Sequence, residues 1–293
     1  MADYLGIYAA SVTPFDREDN INAEALLKLM ERNLKEGTAG FFIGGSSAEF
    51  LLMTFQERVL EYEIASAFVG KCDMIAHVGA LATKKAVGYA KAAKKCGYNH
   101  IAAIPPIYYG FTTREICDYF YDISRAVDMP VIIYNFPGNT KREIDLRDKD
   151  WAALLKSEAV EGIKHTNQVV YQMERIMAHN PKLKIWDGFD ETMIACMAYG
   201  CTGAIGTTFN IMLPHYQKLF DAFRAGKLTE ARELQRKANN IMEALVNVGL
   251  ISATKYILTR QGIDAGPARK PFSQLTDEQK AYVDGIWDAN IVV

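Results

Sequence analysis

The sequence has no C-x-x-C pair, no H-E-x-x-H, no close pair of histidines and no glycine-rich phosphate turn after its first strand-like run. Its five cysteines (Cys72, Cys96, Cys117, Cys196, Cys201) are odd in number, which suits a reduced interior better than a disulfide framework. Its five histidines (His77, His100, His165, His179, His215) are scattered, and nothing in their spacing argues for a metal. An excess of one charge is lacking too. The 33 Lys and Arg against 35 Asp and Glu leave a formal charge of −2, so there is no general electrostatic case for nucleic acid or an anionic membrane. The longest apolar runs are strand-sized, so a membrane-spanning helix is not expected. The opening M-A-D-Y-L-G-I-Y starts with an acid and lacks the basic-then-apolar order of a signal peptide, and a cytoplasmic location is the expectation.

What is present is a repeating alternation. The chain of 293 residues is 49% apolar and 23% charged, ordinary for a globular enzyme, with room for one large domain and a modest appendage. Short apolar runs occur at G-I-Y-A-A-S-V, G-F-F-I-G-G, D-M-I-A-H-V-G-A, H-I-A-A-I-P-P, P-V-I-I-Y-N-F, V-E-G-I-K-H-T, L-K-I-W-D-G-F-D and G-A-I-G-T-T-F-N. They are continuous rather than alternating, as parallel strands covered on both faces should be. Between them lie stretches of helical period, such as 23–34, 56–68, 84–95 and 114–126. Thr54-Phe-Gln-Glu57, Thr112-Thr-Arg-Glu115 and Thr276-Asp-Glu-Gln279 read as capping boxes.

Eight such units end near Gly226, which predicts an α/β fold: a (β/α)8 TIM barrel over 1–226. An open doubly wound sheet is the alternative, and it usually carries the phosphate turn that is missing. Residues 227–293 read as all helix, with an amphipathic pattern over 228–250 whose apolar face packs on the barrel or on another subunit. No linker rich in Gly, Ser or Pro divides the two parts.

Functional groups of such a barrel gather at the carboxyl ends of its strands. Lys164 stands at the end of the sixth run. A lysine confined among apolar groups has its ammonium form disfavoured, and the free amine can attack a carbonyl to form a Schiff base. The plainer reading, a lysine capping a carbonyl or pairing with a carboxylate, stands beside it. The second run ends G-G-S-S-A-E, where Ser46 and Ser47 with their amides make a carboxylate-sized site, or simply a tight turn. The fifth ends I-Y-N-F-P-G-N-T, placing the Tyr134 phenol one barrel position from Lys164, as a proton carrier or as packing. The seventh ends W-D-G-F-D-E, where Asp190 and Glu191 either bind hydroxyls or stabilise the following helix start.

These strand ends together resemble the pyruvate-dependent class I aldolases, the N-acetylneuraminate lyase and dihydrodipicolinate synthase family, over almost the whole chain. The lyase branch is the more similar, on G-F-D-E (Gly188–Glu191), I-G-T-T-F-N-I-M (Ile205–Met212), Y-Q-M-E (Tyr171–Glu174) and the Arg269-Lys-Pro-Phe stretch. Synthases usually carry an arginine shortly after Y-N-x-P; here that position is Asn139, without a guanidinium fork for a second carboxylate.

The resemblance implies cleavage of N-acetylneuraminate to N-acetylmannosamine and pyruvate through an imine on Lys164, with no metal or organic cofactor. It implies Tyr134, Ser47 and Tyr108 as further catalytic residues, Tyr108 by reaching across a dimer interface. Ser46 and Ser47 are implied for the carboxylate, and Thr166, Gly188, Asp190, Glu191, Gly206 and Thr207 for the hydroxyl chain. It also implies a homotetramer. A 2-keto-3-deoxy sugar acid or 4-hydroxy-2-oxoglutarate is the other substrate reading. A catalytically silent ligand sensor should have lost Lys164 or Tyr134, and both are present.

Overall fold

A computed structural model describes residues 5–291. The first four residues of the N-terminal stretch and the last two of the chain lie outside the described residues. Each of the eight apolar runs contains one strand: β1 (Gly6–Ala10), β2 (Gly40–Ile43), β3 (Asp73–His77), β4 (His100–Ala103), β5 (Val131–Asn135), β6 (Val160–His165), β7 (Lys184–Asp187) and β8 (Gly203–Gly206). Each pairs in parallel with the next, and β8 pairs with β1, so the sheet closes into a barrel in sequence order. Closure removes the exposed sheet edge.

The helices α1 (Ala23–Lys35), α2 (Phe55–Ala65), α3 (Thr83–Lys95), α4 (Thr113–Val127), α5 (Pro137–Thr140), α6 (Lys149–Leu154), α7 (Val170–His179), α8 (Met193–Tyr199) and α9 (Phe209–Arg224) occupy the connections. The period of two along each strand divides its side chains between two cores. In β6, Ile163 joins the large core between strands and helices. Lumen-facing side chains such as Tyr8, Phe42, Ile75, Ile132, Trp186 and Ile205 form a second cluster inside the barrel.

All three capping boxes are present, with hydroxyl and carboxylate or amide bonded reciprocally at Thr54, Thr112 and Thr276. The helix expected over 56–68 ends at Ala65 and finishes as a 3-10 turn, Ser66–Phe68.

Of the expectations for the C-terminal part, one holds and one needs correction. The amphipathic pattern over 228–250 is one helix, α10 (Leu228–Val248), as far as Gly249, where α11 (Leu250–Arg260) sets off at 116° to it. Gly249 has φ +107, a conformation glycine adopts without the steric cost of a Cβ. The tail is not all helix, since residues 261–276 are irregular before α12 (Asp277–Asn290). Gly262, Gly266, Pro267 and Pro271 in that stretch account for it. α10 packs on α9 and α12, which seats these helices against the barrel. No single helix among the described residues is long and apolar enough to cross a membrane.

Thr112 caps α4 from an exposed position, accepting from Glu115 N at 3.3 Å. The Thr112→Ala variant is expected to lose about 1 kcal/mol of stability in urea denaturation, with the folded spectrum unchanged.

Candidate active site at the barrel mouth

The register of β5 and β6 pairs Tyr134 with Lys164, and that of β6 and β7 pairs Lys164 with Trp186. All three side chains therefore point into the lumen, Trp186 within the apolar barrel interior and Lys164 at the mouth. Lys164 is only 4% exposed. Its Nζ lies 3.9 Å from the centroid of the Tyr134 ring and 5.4 Å from that of Phe42. Its hydrogen-bond partner is the Thr166 hydroxyl, at 3.4 Å. Among the described residues it has no ion pair and caps no carbonyl, which removes the plainer of the two readings. An ion is expensive to bury without a counter-charge. This site offers the amine two aromatic faces and one hydroxyl.

Tyr134 is buried and stacked on Phe136, with Phe42 and His77 edge-on to it. His77 lies 2.9 Å from Gly44 O through Nδ1, and its Nε2 accepts from Ile104 N at 3.2 Å. Burial first, then the charge of Arg58, holds its pKa well below the usual imidazole value. His77 is a neutral wall that fixes the phenol ring.

Beyond β2, the 3-10 turn Ser46–Ala48 carries the two serines. Ser46 Oγ is 3.4 Å from Tyr134 OH, and Ser47 Oγ is 2.6 Å from Thr207 Oγ1. The leading amides of so short a helical turn have no intrahelical acceptor. Hydroxyls and free amides thus converge beside the lysine.

The G-F-D-E turn after β7 is shaped by two close approaches. A Cβ on Gly188 would sit 1.9 Å from the Thr166 hydroxyl, and one on Gly206 would sit 1.8 Å from the Asp190 carboxylate. Only glycine fits either place. Asp190 stabilises the start of α9 rather than of its own helix: its Oδ2 accepts from Thr208 N at 2.8 Å and from Thr208 Oγ1 at 2.6 Å. Burial raises its pKa, opposed by those bonds and by the charge of Lys164. The Glu191 carboxyl is half-buried and raised mainly by burial. Asp187, fully enclosed beneath them, is raised by burial to about 7.

Lys164, Tyr134, Ser46, Ser47, Thr166, Gly188, Asp190, Glu191 and Thr207 line one cavity of about 320 Å³. Gly206 lies beneath Asp190 and does not line it. Tyr108 is elsewhere: it is 90% exposed on the loop after β4, with φ +80, and it does not line this cavity.

Several lining residues escaped sequence reasoning. Met242, Val246, Leu250, Ile251 and Phe272 close the cavity from the C-terminal side, and Phe136 and Phe189 add to its apolar surface. For the four on α10 and α11 the only sequence signal is amphipathic periodicity, which does not separate a core face from a cavity wall, whereas Phe136, Phe189 and Phe272 stand inside motifs already quoted and could have been found there. The Y-Q-M-E segment lies outside the cavity. There Gln172 accepts from Asn135 and Asn167, each at 3.0 Å, and donates to Ile144 O at 2.9 Å, clamping the ends of β5 and β6.

Fold and site together define the class: a parallel (β/α)8 barrel with one buried lysine amine and a neighbouring phenol at the carboxyl ends of its strands. The dihydrodipicolinate synthetase family model matches residues 3–289, and the chain belongs to that family. It is 36% identical over 278 residues to an N-acetylneuraminate lyase of Rhizobium meliloti (strain 1021), covering 94% of this chain and 92% of that one. Among solved structures it superposes on CdNal of Clostridium difficile in complex with mannosamine with a TM-score of 0.93, at 33% identity and 97% and 98% coverage. The N-acetylneuraminate lyase of Fusobacterium nucleatum gives a TM-score of 0.91 at 30% identity, with 98% of each chain covered.

The buried carboxyls set a pH dependence of stability. Asp187 and Glu61 both rise to about 7 on folding, from ordinary values of 3.8 and 4.5. A raised carboxyl stabilises the fold below its unfolded pKa and loses that contribution as pH rises through the folded value. The melting temperature is therefore expected to fall between about pH 4 and pH 7. In thermal melts across that range, Asp187→Asn should flatten part of the fall.

Proposed function

We propose that this chain is a Schiff-base aldolase that cleaves N-acetylneuraminate reversibly to N-acetylmannosamine and pyruvate. The observation that carries the reading is a lysine buried without an ion pair, directly across the β5–β6 register from a tyrosine. The Lys164 amine attacks the C2 ketone, water leaves, and an iminium forms. The C3–C4 bonding pair moves into the iminium to give an enamine, while the Tyr134 phenol relays the C4 hydroxyl proton, receiving it on oxygen as it passes on its own. The relayed proton ends on C3 of the enamine, and hydrolysis of the resulting imine frees pyruvate and restores the amine. The iminium nitrogen is the electron sink, so the chemistry calls for no metal or organic cofactor.

In this reading Ser46 and Ser47 hold the substrate carboxylate, supported by their convergence beside the lysine. Thr166, Gly188, Asp190, Glu191 and Thr207 border the hydroxyl chain, and Gly206 provides the seat on which the Asp190 carboxylate rests. Asn139 lines the cavity with a neutral amide, which disfavours the synthase reaction and its second carboxylate. Residues 227–293 form the helical extension that completes the pocket of the 1–226 barrel. The enzyme works in the cytoplasm as a homotetramer, a dimer of tight dimers. Tyr108 enters the neighbouring subunit's site, an arrangement supported by its exposure beside Tyr109 on the loop after β4.

Pyruvate release from N-acetylneuraminate and from shorter 2-oxo acids tests the assignment. The parent should release pyruvate from the sugar acid, and Lys164→Ala should lose about 10³-fold or more in kcat. Tyr134→Phe should lose about 10²-fold in kcat yet still be trapped by borohydride with pyruvate. Release from a short keto acid alone would sink the lyase reading.

A further inference from the structure

We propose that the buried ion pair of Glu49 and Lys255 positions the serine turn that holds the substrate carboxylate, so that the C-terminal helices control affinity for the 2-oxo acid. This inference rests on the aldolase reading. The turn bearing Ser46 and Ser47 ends at Glu49, a non-glycine residue in the left-handed region at φ +61. Such a backbone persists only where its surroundings hold it.

What holds it here is the C-terminal part of the chain. Glu49 is 4% exposed, and its Oε1 lies 2.5 Å from Lys255 Nζ on α11. That contact is an ion pair rather than an aligned hydrogen bond. The other oxygen, Oε2, accepts from the backbone N–H of Arg269 at 2.7 Å. Lys255 is 1% exposed, donates to Pro267 O at 3.2 Å and rests over the Phe15 ring.

The Arg269 guanidinium extends the grip along the same segment. It donates to Leu52 O at 3.1 Å and to Asp19 O at 2.6 Å, and it pairs with Glu57 at the head of α2. On the barrel side, Thr13 Oγ1 sits 3.2 Å from Ala48 O. The serine turn is therefore suspended between β2 and two groups from beyond residue 250, the Lys255 ammonium and the Arg269 backbone N–H.

A buried ion pair is a weak source of net stability, and an apolar pair of similar volume would tie helix to barrel as well. What the carboxylate supplies, and an apolar side chain would not, is direction. Its two oxygens are claimed by two separate elements, which fixes the orientation of the turn immediately before it. Glu49 and Lys255 touch neither the lysine nor the cavity, so both are positioning residues.

The test is borohydride trapping at Lys164 as a function of pyruvate concentration, well below each variant's Tm. The parent is compared with Glu49→Gln/Lys255→Met and with Glu49→Asp. The double variant leaves no unpaired charge and keeps an acceptor for Arg269 N–H. Its half-saturating pyruvate concentration is expected to rise about tenfold, the loss of one charge-assisted hydrogen bond to the carboxylate. The plateau rate should stay within about threefold of the parent. Glu49→Asp keeps the charge one methylene short and should shift saturation by less, and it decides the matter alone if the double variant fails to fold. Variants that melt earlier yet saturate at the parent's concentration would overturn the inference, as would a fall confined to the plateau. A parent that is not trapped at all refutes the aldolase reading itself, and this inference with it.

Discussion

Everything at the mouth of this barrel is arranged around one amine buried in the lumen without an ionic partner. The apolar lumen packs beneath Lys164, the Tyr134 and Phe42 rings lie alongside, and the Thr166 hydroxyl gives it a polar contact. Each of those neighbours is fixed in turn. His77 and Phe136 hold the Tyr134 ring, and Gly188 lets Thr166 approach the turn after β7. Side chains at a working site are useful only when their own positions are determined by a further shell. Here that shell is largely aromatic and neutral, and the Asp190 carboxyl, close enough to feel the charge of Lys164, is bonded to Thr208 rather than to the amine.

The barrel was legible because its constraint is local and repeated. Parallel strands covered on both faces must be short apolar runs, and eight of them alternate with helical stretches, two of which, α2 and α4, are marked at their starts by capping boxes. Lys164 could be located by the same logic, since functional groups of such a barrel gather at the carboxyl ends of its strands. Its neighbours Tyr134, Ser46 and Ser47 also stand at strand ends and could be read from the topology, whereas Thr166 was reached only through the family resemblance. Tyr108 could not be placed, because its proposed site lies on another subunit and one chain carries no sign of that geometry. The bend at Gly249 was missed for another reason. A glycine within an amphipathic pattern is tolerated in a helix, so the positive φ at Gly249 and the 116° change of direction are visible only in three dimensions.

The carboxylates of the G-F-D-E turn show how one residue combines two readings. Asp190 borders the cavity, yet its geometry is determined by Thr208 and by the Cα of Gly206. Residue type alone could not separate substrate contact from scaffolding, and the structure joins them. The Y-Q-M-E segment, which served only to mark the branch of the family, has a structural part: Gln172 clamps the ends of the two strands that carry Tyr134 and Lys164.

The sharp turn at Gly249 brings Leu250 and Ile251 over the strand ends, next to Met242 and Val246. Bond-making groups and the far rim of the pocket thus come from different stretches of polypeptide. Drift in the appended helices can reshape the space open to the aldehyde portion while the lysine and its phenol stay untouched, so selectivity and reactivity are free to evolve on separate clocks.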